Sequence, residues 1–146
     1  MKSVYQRSAV FAAALALAAC GSMTSMTATD APLGGGLRLS GDQEVPPVAT
    51  QAAGAVTIAI AADGAVQGSI STTGMQATMA HIHLGAPGVN GPPIITLTKT
   101  SDGKWLVPTG SRLNAEQLKA HLAGGLYVNV HSEAFQAGEI RTQLRP

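Results

Sequence analysis

The stretch Gly54-Ala-Val-Thr-Ile-Ala-Ile-Ala-Ala62, then Asp63-Gly64, then Ala65-Val-Gln-Gly-Ser-Ile-Ser71, decides the fold class. Two alternating runs flank an Asp-Gly pair, and glycine there supplies the positive φ that a tight hairpin turn demands. The pattern recurs where Ile94-Ile-Thr-Leu-Thr98 and Lys104-Trp-Leu-Val107 surround Ser101-Asp102-Gly103. Met75 to Leu84, Leu126 to Val130 and Glu139 to Leu144 add further alternating runs. Seven or eight strands spaced about ten residues apart predict an all-β chain, an antiparallel Greek-key sandwich or barrel. One short helix interrupts them. Asn114 is placed to cap it, Gln117 stands at the capping-box position, Leu113 and Leu118 form a staple, and Gly124-Gly125 stops it. Leu118 and Leu122, one turn apart, are expected to dock this helix across the end of the strands.

The 146 residues are 45% hydrophobic and only 12% charged, with formal net charge +1. That balance excludes a disordered chain, and with no basic cluster it excludes a nucleic-acid partner. One domain fits the length. Lys2 and Arg7 precede an apolar run, Ala9 to Ala19, that is too short to span a bilayer, so residues 1–19 read as a signal peptide. Leu17-Ala-Ala-Cys20 resembles the bacterial lipobox, and Cys20 is the single cysteine. That resemblance implies cleavage before Cys20 and acylation of its sulfur. The expected location is then the periplasmic side of a bacterial cell envelope, at the outer membrane in preference to the inner. The alternative is an ordinary signal peptide with a spare thiol. Residues 20–36, rich in Ser, Thr, Met and Gly, read as a flexible tether, and 37–146 as the folded domain.

Chemistry is concentrated in the histidines. In Met79-Ala-His-Ile-His-Leu84, period two puts His81 and His83 on one strand face and Ala80, Ile82 and Leu84 on the other. In Leu126-Tyr-Val-Asn-Val-His131, Leu126, Val128 and Val130 point to the core and Tyr127, Asn129 and His131 away from it. If the two strands are neighbours, three imidazoles converge on the water-facing side of one sheet as a metal site of a kind that suits copper or zinc. Three solvated histidines remain the competing reading. His121, in the last helical turn, is a surface cation or a fourth ligand. Glu44 and Glu133 are the carboxylates available to fix imidazole tautomers. Gly85-Ala-Pro-Gly-Val-Asn-Gly-Pro-Pro93 reads as a rigid turn beside the histidines and not as a phosphate cradle, because no helix follows and prolines remove amide donors. Met75 and Met79 read as packing residues, with thioether ligation of cuprous ion as the alternative.

Four ordered motifs make the chain recognisable: Leu39-Ser-Gly-Asp-Gln-Glu-Val-Pro-Pro47, His81-Ile-His-Leu-Gly-Ala-Pro-Gly-Val-Asn-Gly91, Leu122-Ala-Gly-Gly-Leu-Tyr-Val-Asn-Val-His131 and Gly138-Glu-Ile-Arg141. Together, from about Leu37 to Leu144, they resemble the CHRD (chordin) domain. The sequence departs from that pattern at Thr142, where a small residue is usual. A weaker resemblance is to the copper/zinc superoxide dismutases, with their strand-borne His-x-His and copper outside the barrel. It implies His81, His83 and His131 as copper ligands and Arg141 as the group that attracts superoxide. The disulfide, the zinc loop and the bridging histidine are missing, so the likeness extends to a copper-only enzyme. Arg141 has a second reading as a surface salt bridge to Glu133 or Glu139. A non-catalytic binding or adhesion module with a protein partner, and a periplasmic copper carrier, are the alternatives to an enzyme.

Overall fold

Residues 36–146 are described in a computed structural model. The proposed leader, Cys20 and the tether to residue 35 lie outside the described residues. The strands are β1 (Leu37–Ser40), β2 (Ala53–Val56), β3 (Ala59–Ile60), β4 (Val66–Gln67), β5 (Ser69–Thr73), β6 (Ala77–Leu84), β7 (Pro93–Thr96), β8 (Thr98–Ser101), β9 (Lys104–Leu106), β10 (Leu126–Ser132) and β11 (Ile140–Gln143), with helix α1 (Ala115–Leu122) between β9 and β10. Nine of them form one antiparallel sheet in the order β7-β6-β10-β11-β1-β2-β5-β9-β8.

The two edge strands of that sheet are one piece of chain, because only Leu97 separates β7 from β8. Its first half pairs with β6 and its second with β9, so the sheet comes close to closing into a barrel and few backbone groups are left at an open edge. This differs from the expected pairing of Ile94–Thr98 with Lys104–Val107. Leu97 turns into the core, its amide bonds Ala80 O, and the run divides there. The Asp63-Gly64 turn forms as expected. Gly64 has φ +86°, Asp63 accepts from the Ala65 amide, and the hairpin tip is the small separate sheet β3–β4.

The core-facing alternation holds residue by residue. Ala80, Ile82, Leu126, Val128, Val130 and Ile140 are fully buried, and Leu84 packs against them. Each fully buried aliphatic side chain contributes about 1.5–3 kcal/mol of transfer free energy, which offsets the scarcity of aromatic residues. Helix α1 starts with both halves of the capping box between Asn114 and Gln117 in place. Leu118 docks on the core as expected, but Leu122 is 66% exposed and His121 turns inward in its stead. The helix stops after eight residues, so the face it buries lies at positions 118 and 121 rather than 118 and 122.

Candidate metal centre

On the side of the sheet away from the core, the register of β6, β10 and β11 sets side chains in rows. Met79 pairs with His131; His81 pairs with Asn129, which pairs with Arg141; His83 pairs with Tyr127, which pairs with Gln143. The expected neighbourhood of the two histidine strands is therefore present, and His81, His83 and His131 each offer a ring nitrogen within 4.8 Å of the others.

The expectation of a water-facing cluster is corrected. His83 and His131 are only 7% and 6% exposed, and His81 is half-buried. Two loops roof this face with their backbones. His83 Nδ1 lies 2.8 Å from Gly91 O, and His131 Nδ1 lies 2.9 Å from Gln136 O. A carbonyl only accepts, so both rings carry their proton on Nδ1 and turn a bare Nε2 toward the cluster. Backbone carbonyls thus fix the tautomers, the role expected of Glu44 and Glu133. Glu133 is exposed, and Glu44 is buried beside Asn129 and Gly138, one step removed from the imidazoles. His81 Nδ1 and His131 Nε2 stand 2.9 Å apart, and His83 Nε2 is buried with no hydrogen-bond partner. Desolvation lowers the pKa of all three rings, that of His81 to about 4 with help from the neighbouring His131 and His83. The cluster is held neutral, the state in which imidazole ligates a metal.

Arg141 shares the histidine face but is neither a surface cation nor a partner of Glu133 or Glu139. It is 2% exposed, with its guanidinium 3.5 Å from the centre of the Tyr127 ring. Nη1 donates to Asn90 Oδ1 at 3.0 Å, and Nη2 donates to Val89 O at 3.0 Å and to Ala86 O at the limit of 3.5 Å. The other face of Tyr127 stacks on His83 at 4.7 Å between ring centres, and its hydroxyl bonds Gly91. Arg141 therefore clamps the 85–93 loop, whose Gly91 carbonyl sets His83. That loop is the rigid turn expected beside the histidines. Burial raises the Glu44 carboxyl, while the charge of Arg141 pulls it back down. Glu139 is also buried, and accepts a 2.7 Å bond from Thr50 Oγ1.

The remaining residues separate from this site. His121 is neither exposed nor a ligand of the cluster. It is buried at the other side of α1, with Nδ1 unpartnered, against Ile60, Leu118 and Pro146. Met75 packs on the core, whereas Met79 is 46% exposed directly across from His131, so packing does not explain it. The residues that complete the site beyond the expected ligands are Asn129 and Tyr127, which the strand period had already placed on this face. The Gly91 and Gln136 carbonyls carry no side-chain signal.

A family model described as the CHRD domain matches residues 36–144, the span over which the four sequence motifs run. No curated protein and no solved structure matches the chain.

Proposed function

The chain belongs to the CHRD domain family, and from that premise we propose that it is a copper-binding domain in which His81, His83 and His131 hold the ion. One observation carries the reading. Three neutral imidazoles converge, and the two buried ones are locked by carbonyls with an unprotonated Nε2 turned inward, that of His131 meeting His81 Nδ1 at 2.9 Å and that of His83 having no partner at all. A buried polar atom without a partner costs free energy that a bound cation would recover. An all-imidazole donor set suits copper and zinc alike, and the likeness to the copper/zinc superoxide dismutases, in which such a strand-borne set holds copper, selects copper here.

In this reading the protein is an exported lipoprotein, held by an acylated Cys20 on the periplasmic side of the cell envelope. No helix among the described residues is long and apolar enough to cross a membrane. Copper carriage is the primary role. Superoxide dismutation is the second reading, supported by the half-buried His81, which leaves one edge of the cluster near solvent. Bound copper would supply the one-electron cycling. Arg141 is not the anion guide in either case, since its donors are committed to the roofing loop.

The test is paramagnetic resonance of the purified chain with copper(II). Nitrogen hyperfine structure that disappears in His81→Ala and His131→Ala supports the site, and copper uptake unchanged in those variants rejects it in favour of a non-catalytic binding module. A superoxide assay on the copper-bound protein then divides enzyme from carrier. Replacing Cys20 by Ser should release the chain from the membrane fraction.

A further inference from the structure

Asn129 occupies the middle of the histidine face, opposite His81 on β6 and Arg141 on β11, and is 2% exposed. Its Nδ2 donates to Ala137 O at 3.3 Å. A methyl group built on Gly138, which has φ +134°, would come within 2.5 Å of both that nitrogen and Glu44 Oε1, so amide nitrogen and carboxylate border the same glycine. The nitrogen side of the amide therefore donates to the Ala137 carbonyl and faces the side of the Glu44 carboxylate. Turning the amide over would set Oδ1 against a carbonyl and a carboxylate, and its orientation is fixed.

With the nitrogen so engaged, Oδ1 is left buried and without a partner. The Asn129 amide lies beside His83, whose Nε2 is also buried without a partner, as is Glu44 Oε1 on the nitrogen side of the amide. Each lone pair is left free by what its own group does on the far side, and the two groups lie next to each other. A cation satisfies both at once, as the two hydrogens of a buried water would, and the three neutral imidazoles converging beside them favour the cation. We infer that Asn129 Oδ1 is a fourth donor to the ion held by His81, His83 and His131, which makes the centre three nitrogens and one neutral oxygen. This rests on the three-histidine reading and deepens it. A neutral oxygen adds no charge to the buried site, and it suits divalent copper better than the soft cuprous ion.

Copper(II) is titrated into the full chain and into Asn129→Ala, Asn129→Asp and His81→Ala. Affinity is read by competition with a chromophoric chelator, and the ligand shell by paramagnetic resonance. Asn129→Ala should weaken binding by about tenfold or more and move the parallel g and hyperfine values. Asn129→Asp keeps an oxygen in place and should restore affinity with a spectrum of its own. If Asn129 only braces the loop through Ala137, both variants lose thermal stability while the spectrum of bound copper stays that of the parent, and the inference is overturned. Should Asn129→Ala not fold, Asn129→Asp alone decides by whether its spectrum differs. Wild-type affinity and spectrum in the Asn129 variants, with nitrogen hyperfine still lost in His81→Ala, overturn this inference and leave the histidine site standing. A parent chain that takes up no copper, or keeps it in His81→Ala, removes both.

Discussion

Replacing Arg141 by Met separates a clamp from an anion guide. Methionine retains an apolar stem over Tyr127 but removes the donors to Asn90 Oδ1 and Val89 O, two bonds of 3.0 Å made by a charged group. Hydrogen bonds to charged groups contribute about 1.5–3 kcal/mol each, and an interaction of the ring face with a desolvated cation about 2 kcal/mol. Removing the cost of burying a guanidinium offsets part of this. Glu44, however, then loses the cation that opposes its own desolvation. The net expectation is a loss of about 3–5 kcal/mol, the size seen when one partner of a buried charge network is deleted. In a domain of this length that lowers the melting temperature by on the order of 10 °C or more. The assays are urea and thermal melts, together with hydrogen exchange of the amides in residues 85–92, which should open before the β6–β10 pair does. A guide at the surface makes the opposite demand: an unchanged melt, with only a salt-dependent encounter rate affected. A variant within about 1 kcal/mol of the parent and with a protected loop would falsify the clamp.

Three further outcomes follow from the same geometry. His81, His83 and His131 all titrate below their unfolded value near 6.5, so their contribution is full above that pH and is lost as pH falls toward 4, where His81 takes its proton in the fold. Metal-free melts should therefore weaken across pH 6.5 to 4, by up to about 1.4 kcal/mol per pH unit for each histidine that protonates only on unfolding. Glu44, whose folded pKa is raised, opposes this in part, and a melt that strengthens over the window refutes the burial of the cluster. Gly138→Ala drives a methyl into Asn129 Nδ2 and Glu44 Oε1 at a φ of +134°, and should cost both stability and copper affinity; equal affinity by competition titration contradicts the packing described. Asn114→Ala removes the cap of α1, which supplies no residue to the histidine cluster, and should cost about 1 kcal/mol in a urea melt with copper affinity untouched.

Which strands exist, and which side chains share a face, could be read from alternation alone, because a period of two leaves no freedom once a strand is granted. Ile82 and Val128 inward, His81, Asn129 and Arg141 outward, follow directly. Depth could not be read. The step from non-core face to water-facing face assumes a sheet with one solvated side, and here the loops that follow β6 and β10 fold back over it. Their hold on the imidazoles is exerted through Gly91 O and Gln136 O, atoms that every residue possesses, so no residue type announces it. Arg141 departs from its expected surface position for the same cause: an arginine on an outer face is a surface cation only if nothing lies above it. The splitting of β7 from β8 at Leu97 was likewise hidden, since the sheet closes through a pairing that is distant in sequence. Yet the roof is what gives the histidines a chemical identity. Imidazoles open to water would exchange protons and tautomers freely near neutral pH. Under carbonyl acceptors His83 and His131 stay neutral with their protons turned outward to the loops, and His81 meets the bare Nε2 of His131 through its own Nδ1. His83 Nε2 and Asn129 Oδ1 are buried without a hydrogen-bond partner, which costs free energy that a bound cation would recover.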